Sequence, residues 1–245
     1  MTRIAFISGV TAGIGQASAR RFIGSGWSVI GTGRRQERLD ALAAELGDRF
    51  RAINLDMRDI PAVEAVAAEV GEVDLLLNNA GLPPPLATLQ DAEWAPLAQV
   101  VETNITGLIA LTRGLLPGLI ARRGAIINLS SVAATYPYRG GAVYGGSKAF
   151  VHQFSLDLRS DLQGMGVRVT SIEPGMVETE FTLVRNGWDQ AASDALYGNM
   201  DPMTADDIAE TIHWVATLPP HVNINIVELM PVNQSFAGFH IARKD

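Results

Sequence analysis

Tyr144 and Lys148 stand four residues apart in Tyr144-Gly145-Gly146-Ser147-Lys148, where a helical pattern over 147–162 begins. On a helix that spacing puts both side chains on one face, about 6 Å apart along the axis. An ammonium so close favours the phenolate. A tyrosine ordinarily titrates at about 10, so proton exchange near neutrality needs such help. Ser131 follows a strand-like run and adds a hydroxyl ahead of the pair. Plain surface helices carry the same Tyr/Lys spacing, so the pair alone leaves both readings open.

A second group of residues suits an anion. The run Ile4-Ala5-Phe6-Ile7 leads into Ser8-Gly9-Val10-Thr11-Ala12-Gly13-Ile14-Gly15, and 16–23 looks helical. Glycines let the backbone turn tightly and approach a pyrophosphate, and a helix N-terminus offers free N–H groups. A tight strand–helix turn with no ligand would use the same glycines. The second strand ends in Gly31-Thr32-Gly33-Arg34-Arg35-Gln36-Glu37-Arg38, without the carboxylate that holds the ribose 2′-hydroxyl of NAD. Arg34 and Arg35 at a helix start oppose the macrodipole and call for an anionic partner. A 2′-phosphate fits guanidinium geometry, and Gly33 would leave it room. The expected cofactor is therefore NADP(H); a solvated basic turn is the alternative.

These groups need a frame. Short β-branched or aliphatic runs at 4–7, 27–32, 50–55, 73–77, 125–129, 167–172 and 225–229 read as strands. Amphipathic stretches lie between them, with Leu39, Leu42 and Leu46 on one face and Ile208, Ile212 and Val215 on another. Thr204 and Asp207 resemble a capping box. Strands alternating with helices imply a single-domain α/β fold over 1–245, a Rossmann-type doubly wound parallel sheet of seven strands with helices on both faces. Residues 176–203 show no strong periodicity and read as a substrate lid. Pro83-Pro84-Pro85 reads as a stiff loop, and three of Trp27, Trp94, Trp188 and Trp214 are expected in or near the core.

Composition narrows the chemistry. The 245 residues include no cysteine, which excludes disulfides, thiol catalysis and thiolate metal sites. His152, His213, His221 and His240 lack metal-ligand spacing, so no metal is expected. A net charge of −7 argues against nucleic acid. No long uninterrupted apolar run or leader-like segment stands out, so a cytoplasmic protein that does not span a membrane is expected.

The order of these motifs resembles the short-chain dehydrogenase/reductase family over essentially the whole chain. The resemblance rests on Gly9, Gly13 and Gly15, on Asn78-Asn79-Ala80-Gly81, Asn104, Ser131, the Tyr144/Lys148 pair, and Pro174-Gly175. It implies catalysis by Asn104, Ser131, Tyr144 and Lys148. Tyr144 would exchange a proton with the substrate oxygen while the nicotinamide exchanges a hydride with its carbon. Ser131 would hydrogen-bond that oxygen, Lys148 would lower the Tyr144 pKa and bind ribose, and Asn104 would hold a relay water. The resemblance also places Thr11, Ala12 and Ile14 of the glycine turn at the cofactor. Asp56 and Met57 would lie by the adenine, Asn79 by a ribose, Pro174 and Gly175 alongside, and Val177 and Thr179 by the carboxamide.

Departures from the family pattern point to a subgroup. Ser8 replaces a usual Thr, Ala12 replaces a basic residue, and the last strand lacks an Asp-Gly-Gly ending. The stretch from Thr32 to Leu39, Lys148-Ala149-Phe150-Val151, and Leu218-Pro219 with His221-Val222-Asn223-Ile224-Asn225 are similar to the NADP-dependent 3-hydroxy acid dehydrogenases and the related sulfoacetaldehyde reductases. Their substrates are small anions, so the site should hold a cation: Arg185 first, Arg139 second. A 3-oxoacyl-carrier-protein reductase and a non-enzymatic NADP sensor are the alternatives. The resemblance also implies a homo-oligomer, with a tetramer favoured, through helices near 91–116 and 147–162. The tail Phe236-Ala237-Gly238-Phe239 could reach a neighbour.

Overall fold

Side chains alternate across a strand, and that alternation builds two cores here. In a computed structural model, which describes residues 2–236, the first half of the chain runs β1 (Ile4–Ser8), α1 (Gly13–Gly24), β2 (Ser28–Gly33), α2 (Gln36–Leu46), β3 (Phe50–Asn54), α3 (Ile60–Val70) and β4 (Leu75–Asn78). It continues through α4 (Trp94–Val101), α5 (Leu108–Arg122), β5 (Ala125–Leu129), α6 (Ala142–Asp161) and β6 (Arg168–Pro174). The last elements are β7 (Val177–Glu178), α7 (Glu180–Arg185), α8 (Gln190–Tyr197), β8 (Met203–Thr204), α9 (Ala205–Ala216) and β9 (Ile226–Leu229).

On one face of the sheet, Ala5, Ile7, Leu75, Leu77 and Ile127 pack against Phe22 of α1, Leu39 and Leu42 of α2, and Ile208 and Ile212 of α9. On the other, Phe6, Leu76, Ile126 and Val169 meet Val63 of α3, Leu111, Leu115 and Leu119 of α5, and Leu158 of α6. Each large side chain buried this way contributes about 1.5–3 kcal/mol. Exposed pairs such as Arg20–Glu45 contribute about 0–1 kcal/mol, so the two cores hold the sheet. Asp74 ties the starts of the central strands to α5: it accepts from the Ile4 N–H at 2.8 Å and from Arg122 Nε and Nη2 at 3.1 and 2.8 Å.

The main sheet has seven parallel strands, as the sequence predicts, and their order is β3-β2-β1-β4-β5-β6-β9. Strand order reverses between β1 and β4, the place where open α/β sheets bind ligands beyond their strand ends. The glycine turn after β1 and Asn79 after β4 flank that point.

Several elements differ from expectation. The segment 176–203 is not irregular: β7 and β8 pair in parallel at its two ends, and α7 and α8 lie between. Two helices of six and eight residues are too short to show amphipathic periodicity. The helix carrying Tyr144 and Lys148 starts at Ala142, so both residues lie inside it. Of the four tryptophans only Trp27 is in the core; Trp94 and Trp214 are 79% and 51% exposed, and Trp188 is exposed too. The capping box at α9 is present, with Thr204 Oγ1 accepting from the Asp207 N–H and Asp207 accepting from the Thr204 N–H.

The helical rod Trp94–Arg122 has the length and apolar composition of a membrane span. Its α5 half packs on the sheet through Leu111, Leu115 and Leu119, and Leu97 and Val100 of its α4 half are buried as well. It is also broken by a π-helical turn over Glu102–Gly107. Such turns often mark functional sites, and this one carries Asn104. Of the tail, 237–239 and His240 lie outside the described residues; Phe236 stacks on Tyr136 with ring centroids 4.9 Å apart.

Candidate active site

The glycine turn is built by close approach. Gly9 and Gly13 have φ of +77° and +53°, a left-handed backbone that favours glycine. A Cβ on Gly15 would lie 2.2 Å from the Gly9 carbonyl oxygen and 2.4 Å from Asn79 Nδ2. Asn79 Nδ2 occupies that notch and donates to the Ser8 and Gly9 carbonyls, each at 2.9 Å. The Ser8 hydroxyl accepts from the Asn79 and Ala80 N–H groups at 3.1 and 3.0 Å, which explains why a hydroxyl is kept there. Helix α1 has Ala12 as its N-cap, with no side chain capping its first-turn N–H groups. Donors left free at a helix start fit a pyrophosphate.

The basic turn after β2 is more engaged than the sequence implies. Arg34 is exposed. Arg35 Nε and Nη2 donate to Thr11 Oγ1 at 3.2 and 3.1 Å, and its Nη1 donates to Glu180 at 2.9 Å. Arg38, absent from the sequence candidates, joins the same carboxylate at 2.7 and 2.8 Å. Its place one helical turn after Arg35 is the signal that could have found it. A Cβ on Gly33 would meet Thr11 Cγ2 at 2.5 Å, so the close approach of Thr11 is one demand on this glycine. A cavity of about 480 Å³ beside the turn is lined by Thr11, Gly13, Gln16, Arg38 and Glu180 among others. Asp56 is held by Arg58, whose Nη2 donates at 2.6 Å and which keeps the carboxyl below its usual range. Met57 is buried, with its carbonyl against Gly107 of the π turn.

The structure brings Asn104, Ser131, Tyr144 and Lys148 together. Lys148 Nζ donates to the Leu129 carbonyl at 2.7 Å and lies 5.8 Å from the Tyr144 ring centroid. Ser131, extended just beyond the end of β5, reaches the Pro174 carbonyl at 3.4 Å, accepts from the Ala133 N–H at 3.2 Å and favours the Tyr144 phenolate. Asn104 Nδ2 donates to Leu82 O and to Ser147 Oγ at 3.2 and 3.1 Å, while its Oδ1 accepts from the Leu82 N–H at 3.0 Å. Asn104 Oδ1 and Lys148 Nζ both face Gly81, at 3.3 and 3.6 Å from where its Cβ would be. Gly175 packs against Gln234.

The electrostatics of Tyr144 are dominated by its burial. Burial raises the Tyr144 pKa above its ordinary value, and the influences that oppose this are the charge of Arg185 and the hydrogen bond with Ser131. Lys148 is not among them. It is itself buried, which lowers its pKa to about 8.

Arg185, at the end of α7, has its guanidinium carbon 5.2 Å from the ring centroids of both Tyr144 and Phe181. Its Nη2 donates to Tyr138 Oη at 3.3 Å, and its Nε is buried without a partner. No carboxylate among the described residues pairs with it. Arg139 is exposed and makes no hydrogen bond or ion pair among them. Thr179 caps α7 and stands over Gly13, while the Val177 carbonyl accepts from Tyr197 Oη at 2.9 Å. Among the described residues, no group of three or more His, Asp or Glu could hold a metal ion.

Comparison with known proteins identifies the family. The family model described as short chain dehydrogenase matches residues 3–190. A serine 3-dehydrogenase of Agrobacterium fabrum is 59% identical, with both chains fully covered. Sulfoacetaldehyde reductase 2 of Chromohalobacter salexigens is 51% identical over 99% of this chain and 100% of that one. The closed form of a serine dehydrogenase complexed with NADP+ superimposes with a TM-score of 0.96 at 46% identity, covering 98% of this chain and 100% of that one. The chain belongs to the short-chain dehydrogenase/reductase family.

Proposed function

We propose that this member of the family is an NADP-dependent dehydrogenase of small anionic 3-hydroxy acids, such as serine or 3-hydroxypropionate. The observation that carries the anion is Arg185: a cation with no acidic partner and an unbonded buried Nε, set against the ring of Tyr144. A substrate carboxylate would satisfy it with charge-assisted hydrogen bonds. Its oxygen would then lie toward Tyr144 and Ser131.

NADP(H), when bound, supplies the hydride chemistry. The chain's own residues do the rest. The glycine turn, with Thr11, Ala12 and Ile14, receives the pyrophosphate; Arg34 and Arg35 address the 2′-phosphate. Asp56 and Met57 border the adenine, Asn79 a ribose, and Pro174, Gly175, Val177 and Thr179 the nicotinamide. Tyr144 exchanges a proton with the substrate oxygen, and Ser131 holds that oxygen. Lys148 and Asn104 face each other across Gly81, the arrangement a water-mediated proton path needs. The segment 176–203 acts as the substrate lid. The protein is read as a cytoplasmic homotetramer; the exposed Trp94, Val101 and Ile109 along α4 and α5 support assembly through that rod.

A sulfonate would fit the same clamp, and the 51% identity to a sulfoacetaldehyde reductase favours that second reading. Absorbance at the NADPH band decides between them: serine, 3-hydroxypropionate and isethionate are offered with NADP+, and acetoacetyl thioester with NADPH. A free anion should be turned over, and Arg185→Ala should raise its KM by about tenfold or more. Turnover of the thioester alone, or an unchanged KM, would contradict the proposal.

A further inference from the structure

Helix α7 has six residues, too few to hold itself in place, so its position depends on tertiary contacts: Thr182 meets Tyr197 Oη at 2.6 Å, Phe181 packs on Tyr144, and each end carries a charged group. At the C-terminal end stands Arg185. At the N-terminal end Glu180 lies between two guanidiniums: Arg35 Nη1 donates at 2.9 Å, and Arg38 Nη1 donates to both carboxylate oxygens at 2.7 and 2.8 Å. Both arginines are themselves fastened to the glycine turn. Arg35 reaches Thr11 Oγ1, and Arg38 Nη1 donates to the Thr11 carbonyl at 3.3 Å. Burial pulls the Glu180 pKa up, but hydrogen bonds and charges from Arg35 and Arg38 hold it below its ordinary value. The carboxylate is therefore ionised at neutral pH. Five residues of helix separate Glu180 from Arg185, about 7.5 Å along the axis. The link between the Arg35/Arg38 pair and Tyr144 is thus one short rod.

We infer that Glu180 is a positioning residue. Its ion pairs with Arg35 and Arg38 anchor α7 on the cofactor side and so hold Arg185 against Tyr144. The arginine cluster at the cofactor then also sets the substrate-anion clamp. This rests on the reading that Arg185 meets the substrate anion. Glu180 sits at the end of α7 opposite Arg185 and Tyr144, so its removal acts on anion binding more than on the chemical step.

The test uses the full chain with Glu180→Gln, Glu180→Asp, Arg38→Gln and the Gln/Gln double variant. Hydrogen exchange over 180–186 is followed in cofactor-free protein, and kinetics are run at saturating NADP+. Glu180→Gln should speed exchange across α7 by about tenfold. It should raise KM for 3-hydroxypropionate by about fivefold, with kcat within about twofold and KM for the neutral amide analogue unchanged. Glu180→Asp should recover part of the loss, and the double variant should be no worse than the worse single one. Unchanged exchange, equal KM effects on acid and amide, or fully multiplying single effects would overturn the inference. If wild-type protein turned over no acid, the proposed function would fall, and exchange over α7 would still decide whether Glu180 anchors the helix.

Discussion

Replacing Lys148 by Met should abolish turnover and make the cofactor-free protein more stable. Lys148 is 5% exposed, and among the described residues Nζ has a single hydrogen-bond partner, the Leu129 carbonyl. Burial lowers its pKa from 10.5 to about 8. A fall of that size corresponds to roughly 3 kcal/mol of destabilisation at neutral pH. Losing the hydrogen bond returns about 1–2 kcal/mol of that gain, and Met fills a similar volume with an unbranched chain. The net expectation is about 1–2 kcal/mol of added stability at pH 7, a rise in Tm of about 2–6 °C.

The sign of the pH dependence follows from the same two values. Between about 8 and 10.5 the unfolded chain keeps the Lys148 proton while the folded one loses it, so wild-type stability rises with pH in that window. The advantage of the Met variant is complete below pH 8 and fades toward pH 10.5. Urea midpoints of both proteins at pH 7 and pH 10, at equal protein concentration and without cofactor, measure it. A variant less stable at pH 7, or a difference equal at both pH values, would refute the reasoning.

Gly15→Ala would place a methyl 2.2 Å from the Gly9 carbonyl; because the obstacle is backbone, NADP+ affinity should fall by at least about 100-fold, which a fluorescence titration reads. Wild-type affinity in that variant would contradict the packing role. Arg122→Gln removes two charge-assisted bonds to Asp74 and should cost about 1–3 kcal/mol in urea denaturation without altering KM. No change in midpoint would mean that the Ile4 N–H and solvent suffice for Asp74.

How much of this was legible depends on range. The strands of a parallel sheet are covered on both faces, so Leu75-Leu76-Leu77 and Ala125-Ile126-Ile127 stand out as apolar runs. The glycine spacing and the Tyr144/Lys148 pair are local, and the fold brings them together as the family resemblance implies. The π turn around Asn104 was not legible, because one added residue per turn leaves little mark on periodicity. Helices α7 and α8 are too short to show a face. The Glu180 cluster joins residues 145 positions apart, beyond any local pattern. The close approach of Thr11 to Gly33 is likewise invisible locally, because Thr11 comes from another element.

The central claim is that Tyr144, buried beside Ser131 and Arg185, moves the proton while the rest of the fold binds the cofactor. Tyr144→Phe keeps the ring that packs on Phe181 at 5.4 Å and removes only the hydroxyl. The measurement is a paired one, NADPH affinity by titration and NADP+-linked oxidation of a 3-hydroxy acid by absorbance. The account predicts affinity within about threefold of wild type and turnover reduced by about 1,000-fold or more. Turnover within about tenfold of wild type, with cofactor bound normally, would contradict it.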